Sequence, residues 1–208
     1  MLPLHSNLQR LVYEGRPLAA SAFVLIALWV SAHVGTLPAA VGTAAFLTTA
    51  VWWDVRAFRI PNALTGPALA VVLLWAGMTG GWGAAGAALG AGLVALALLF
   101  GPFAWGWLGA GDVKALVVLA ALWGLDAFLP ALWWMLALGG VGALVVLAAH
   151  GELGALLRRW GRSLWLSLAS RRLFYVSAAA GSSARAGLPF AVAMGLGSAA
   201  YGLWGTPW

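Results

Sequence analysis

Five side chains carry all the negative charge of this 208-residue sequence: Glu14, Asp54, Asp112, Asp126 and Glu152. There is no cysteine, which removes thiolate nucleophiles, thiolate metal sites and disulfides. His5, His33 and His150 lie far apart in the chain and read as structural or interfacial groups rather than metal ligands. Carboxylate chemistry remains. Two carboxyl groups, one ionised and one protonated, serve as general base and general acid without any metal or cofactor, so neither is expected. Ionisable groups at membrane depth are costly and tend to be functional, and the stretches around Asp54 and Asp112 are strongly apolar, so these two acids lead.

The elements that must position them are transmembrane helices. Hydrophobic residues make up 63% of the chain and charged residues only 8%, against about 25% charged in an ordinary soluble domain. A soluble globule is thereby excluded, because a surface so poor in charge would leave large apolar patches in water. Strand-like alternation is absent, which disfavours a β-barrel. Charge-free stretches run from Pro17 to Trp53, Ile60 to Gly111, Ala127 to Gly151 and Ala186 to Trp208. A bilayer core of about 30 Å takes about 20 apolar residues per helix, and Pro38 and Gly80–Gly81 divide the two longest stretches. The expectation is an all-α polytopic membrane protein with about seven spans, near 17–35, 38–54, 63–79, 83–101, 109–125, 130–149 and 187–205. All 208 residues form one transmembrane domain.

Orientation follows from the basic residues. Arg10 and Arg16 precede span one, Arg56 and Arg59 follow span two, and Lys114 opens span five. Arg158, Arg159, Arg162, Arg171, Arg172 and Arg185 lie between spans six and seven. All fall on one side, which puts the amino terminus in the cytoplasm and the carboxyl terminus outside. Asp126 and several tryptophans occupy the opposite loops. The net charge of +6 thus reflects orientation in a membrane, not nucleic-acid binding. Residues 151–186 form a basic cytoplasmic connector. Its first half reads as an interfacial amphipathic helix, with Leu153, Leu156, Leu157, Trp160 and Leu164 on one face and Arg158, Arg159 and Arg162 on the other. Such a helix is either a topology-fixing connector resting on anionic lipid or a docking surface for substrate.

Asp54 and Asp112 both sit at cytoplasmic ends of their spans, so two helices can present them at one depth. Asp54 opens the run Asp54-Val55-Arg56-Ala57-Phe58-Arg59-Ile60-Pro61-Asn62, and Asp112 lies in Gly109-Ala110-Gly111-Asp112-Val113-Lys114. Together these strings resemble the two signature motifs of the type IV prepilin peptidases, membrane aspartyl proteases that carry a Gly-x-Gly-Asp motif. The late segment Gly187-Leu188-Pro189-Phe190-Ala191-Val192-Ala193 is similar to that family's final helix. The resemblance runs from about Ala50 to the end and implies that Asp54 and Asp112 are the catalytic pair of an aspartic endopeptidase.

The residues agree on their own terms. Two carboxylates close together in a low-dielectric pocket cannot both ionise cheaply, so they share one proton and titrate as a unit. Such a pair can draw a proton from an attacking water while hydrogen-bonding the scissile carbonyl. Around it, Gly109, Gly111, Arg56, Arg59, Pro61, Asn62 and Lys114 form the candidate substrate-binding set. The glycines let a helix start and pack closely, or leave room for an extended substrate backbone beside Asp112, and both roles can hold together. Pro61 makes a turn after span two, and Asn62 is placed to cap the next helix. Arg56 and Arg59 read as topology anchors, or one of them meets an acidic group in the substrate. Lys114, two residues beyond Asp112 and so on another helix face, is expected to extend to the head groups.

The resemblance further implies a substrate: the short basic leader of a type IV prepilin-like precursor, cut at the cytoplasmic face of the bacterial inner membrane. Many members also N-methylate the new amino terminus through a domain with paired cysteines. The absence of cysteine, and the short interval between spans one and two, make this chain resemble the peptidase-only form associated with Flp/Tad-type pili. Two alternatives stay open, an ion-coupled transporter and a non-catalytic pilus-assembly protein. Oligomeric state is left unknown.

Overall fold

The structure is a computed structural model that describes residues 37–170 and 190–206. The expected span 17–35, His5, His33 and the second half of the connector lie outside the described residues. Six helices account for nearly all of the rest: α1 Leu37–Ala57, α2 Asn62–Ala104, α3 Ala110–Trp123, α4 Leu125–Ala149, α5 Leu153–Ser170 and α6 Phe190–Trp204. The chain is all-α. Two of these helices, α2 and α4, are long and apolar enough to cross a membrane on length and composition alone. Side chains such as Val71, Leu74, Met78 and Trp82 on α2 are largely exposed, a surface that only an apolar solvent suits. The chain divides into two compact units, residues 1–136 with 189–208, and residues 137–188.

In the first unit α2 is not one straight rod. Gly81 leaves helical geometry at φ 72, ψ −172, a left-handed φ that favours glycine, and the chain doubles back there. A Cβ on Gly77 would lie 3.7 Å from the Cβ of Ala85, whereas eight residues of continuous helix span about 12 Å. The hairpin lies against α3: Ile60, just before α2, touches Gly111, and Gly92, beyond the bend, touches Val117. The expected break at Gly80–Gly81 and the limbs flanking it match this shape.

Helix α3 occupies the middle of the unit. Ala115, Leu116, Leu119 and Ala120 are fully enclosed, among Leu47 and Ala50 of α1, Ala95 and Leu99 of α2, Phe128 and Met135 of α4, and Met194 of α6. Small residues permit this density, as they do between helices in lipid. Gly197 of α6 lies so close against the Met135 backbone that any Cβ there would collide with it. At the end of α3, Trp123 donates its indole N–H to the buried Thr43 Oγ1 at 2.8 Å. Gly124, at φ 74, then ends the helix. The following helix starts at Leu125 rather than near 130, with Asp126 in its first turn and Pro130 in its second. An acid is favourable in a first turn, so Asp126 is a helix-start residue and not the loop residue expected.

In the second unit, α4 ends at a turn in which Gly151 takes φ 71, and α5 begins two residues later. It is amphipathic as expected, with one correction. Arg158 and Arg162 are exposed, but Arg159 is half-buried and its Nε is enclosed, so it does not share their open face. It lies on the inward stripe with buried Leu156 and half-buried Ser163.

Candidate active site

Asp54 lies one turn before the end of α1. The helix stops because Phe58 turns left-handed at φ 50, while its N–H still bonds the Asp54 carbonyl at 2.8 Å. A bulky L-residue pays roughly 1–2 kcal/mol for that conformation, and the bend it makes turns Ile60 inward to 5% exposure. Pro61 then fixes the entry to α2 in extended geometry at φ −73, ψ 148. It has no N–H to leave unsatisfied, and its carbonyl accepts from Leu64 and Thr65.

Asp112 lies in the first turn of α3. Gly109 precedes the helix in extended conformation, and its N–H donates to Asp112 Oδ2 at 3.2 Å. That is the reciprocal half of a capping box. A Cβ on Gly109 would stand 2.9 Å from the same oxygen, so glycine there keeps the carboxylate in place. Gly111 has a different task. A Cβ on it would approach the Ile60 backbone N at 3.0 Å and O at 3.1 Å, so the α1–α2 turn lies directly on the start of α3. Of the two expectations for Gly111, close packing is the one this contact fills, and the space beside its Cα is taken by Ile60.

Helices α1 and α3, which carry the two acids, pack together. Asp54 is 4% exposed and Asp112 is half-buried. A third element holds Asp54. Its Oδ2 accepts the backbone N–H of Ala191 at 2.9 Å, one of the first-turn amides of α6 that have no partner within their own helix. Each acid thus has one oxygen fixed by a backbone amide. The second oxygen of each carries no hydrogen bond among the described residues. Carboxyl groups with an unbonded oxygen are able to act as general acid or general base.

Ala191 was not singled out from the sequence as a site residue. The available signal was Pro189 near the start of the charge-free run from Ala186, a proline that marks a helix start and therefore free amides. Two expectations change. Asn62 does not cap α2, whose N-cap is Pro61 without a side-chain bond. Instead Asn62 Oδ1 accepts from Lys114 Nζ at 2.7 Å. Lys114 is therefore tied across to the start of α2 rather than extended to head groups, and it joins the two motifs in space. Arg56 stacks its guanidinium over the Trp52 ring at 4.0 Å, a cation–π contact. Arg59 is exposed. Among the described residues no three His, Asp or Glu side chains gather to hold a metal ion. His150 Nδ1 pairs with the Val146 carbonyl at 2.8 Å.

No curated protein and no solved structure gives a significant match to the chain. A family model does. Residues 40–147, more than half of the sequence and a range that includes both Asp54 and Asp112, match the model described as the type IV leader peptidase family. The chain belongs to the type IV leader peptidase family.

Proposed function

We propose that this protein is an intramembrane aspartic endopeptidase that removes the short leader of type IV prepilin-like precursors, with Asp54 and Asp112 as its catalytic pair. The observation that carries the reading is that both acids of the two motifs lie on packed helices, each with one oxygen held by a backbone amide. Water bound between the free oxygens loses a proton to the ionised partner as it attacks the scissile carbonyl. The protonated partner hydrogen-bonds the carbonyl oxygen, and the proton is passed to the leaving amine as the peptide bond breaks. No cofactor enters the scheme. The pair is assigned as a unit.

In this reading the domain has seven spans, lies in the bacterial inner membrane with its amino terminus in the cytoplasm, and presents the pair at the cytoplasmic face, where a prepilin leader lies. Gly109, Arg56 and Arg59 are assigned to substrate contact. The chain contains no cysteine, so the reading is of a peptidase without N-methyltransferase activity, of the Flp/Tad-pilus type.

The test is co-expression with a prepilin-like substrate and detection of leader removal by gel shift. Asp54→Asn and Asp112→Asn keep side-chain size but cannot exchange the proton. Each is expected to abolish processing while the protein still accumulates in the membrane. Continued cleavage by either variant removes that residue from the pair and the mechanism with it.

A further inference from the structure

We infer that α5 is a docking surface for anionic phospholipid, lying in the membrane–water interface with Leu157, Trp160, Leu164 and Leu168 in the acyl region and Arg158 and Arg162 at the phosphates. Three observations meet here. First, α4 is long enough to cross a bilayer and α5 starts only four residues after it ends, so α5 begins at the depth where that crossing finishes. Second, its faces divide three ways. Leu156 is buried and Arg159, Ser163 and Ser167 are half-buried along one side, whereas Leu157, Trp160, Leu164 and Leu168 are each more than half exposed. At 100° per residue these four fall within one 80° stripe beside the buried one. Third, Arg158 and Arg162 are exposed on the side opposite that apolar stripe. A helix with an uncovered leucine and tryptophan stripe and arginines on its other side fits an interface of negative charge over hydrocarbon. Long arginine side chains reach phosphates from there while their stems stay in apolar surroundings. No described acid lies within α5 to offset them.

The absence of cysteine from the chain makes a direct test simple. Single cysteines at Leu164→Cys and, on the outer face, Ala169→Cys are labelled with an environment-sensitive fluorophore in the full-length protein. The protein is reconstituted in vesicles of phosphatidylcholine alone or with phosphatidylglycerol, and is also kept in detergent. Quenching is read with spin-labelled lipid and with acrylamide, a neutral quencher. The probe at 164 is expected to be quenched by lipid and shielded from acrylamide in phosphatidylglycerol vesicles, with the probe at 169 showing the reverse. Arg158→Gln and Arg162→Gln are each expected to lower the ratio of docked to undocked helix about fivefold in those vesicles, the equivalent of ~1 kcal/mol per charge, and to change little in phosphatidylcholine. Equal quenching at both positions overturns the inference. So does shielding at 164 that persists in detergent and ignores lipid charge, which assigns the stripe to a protein neighbour. Lipid quenching of equal strength in both vesicle types overturns the anionic specificity. Leu157→Cys repeats the measurement should Leu164→Cys fail to elute as a single species. None of these readouts depends on peptidase activity.

Discussion

Gly111→Ala tests whether the seam between the α1–α2 turn and α3 sets the position of Asp112. The added methyl would meet three atoms of Ile60, two of them backbone, at 3.0, 3.1 and 3.3 Å. Carbon atoms are at their best separation near 3.5–4.0 Å, so the helix start and the turn must part by about half an ångström. Overpacking of this kind costs roughly 1–3 kcal/mol. Ala improves helix propensity by at most about 1 kcal/mol over Gly, and less in a first turn, so the net effect is destabilising. The larger consequence is geometric. Asp112 is the next residue, and a displacement of that order at a reacting group costs on the order of 10–100-fold in rate. The assay is a time course of leader removal by purified protein in proteoliposomes, with thermal unfolding measured on the same sample. Gly92→Ala is the control, since its methyl would meet Val117 and Ala121 only at 3.4–3.7 Å, and it should cleave at nearly the parent rate. If Gly111→Ala cleaves like the parent while Asp112→Asn is inactive, the seam does not position the carboxylate and the reasoning fails.

Other outcomes follow from the same contacts. Gly197→Val should prevent stable folding, because its side chain would enter the Met135 backbone; undiminished membrane accumulation and thermal stability would contradict the close approach of α4 and α6. Phe58→Gly should raise stability by about 1 kcal/mol by relieving the left-handed strain, since that ring is 60% exposed and buries little; a lower unfolding temperature would mean that the ring carries packing instead. Trp123→Phe should cost about 1 kcal/mol through the lost bond to Thr43 and the buried hydroxyl it leaves, a loss that Trp123→Phe with Thr43→Val should largely restore in thermal unfolding.

Much of this arrangement was legible in the chain because it depends on local chemistry. Gly80–Gly81 could only be a break in so apolar a run, and Asp54 and Asp112 stood out because acids are rare there. The leucine and arginine spacing of α5 follows helical periodicity, and the same spacing puts Arg159, three residues after Leu156 and four before Ser163, on the inward stripe rather than with Arg158 and Arg162. What was not legible depends on which helices meet. Asn62 is a good capping residue in isolation, yet Pro61 takes the N-cap and Lys114, 52 residues on, claims the amide oxygen. Gly111 offered two readings until Ile60 filled the space beside it. The amide that holds Asp54 comes from 137 residues away, and no periodicity reports a contact across that separation.

That last contact has a consequence for biosynthesis. The segment bearing Ala191 is the last of the described helices to leave the ribosome, after the others have had time to enter the bilayer. Until it arrives, the Asp54 carboxylate lacks its backbone donor, and a chain interrupted between residues 112 and 191 carries both aspartates without that contact. Under the proposed function, the order of synthesis acts as a safeguard that withholds proteolytic competence from partially made copies.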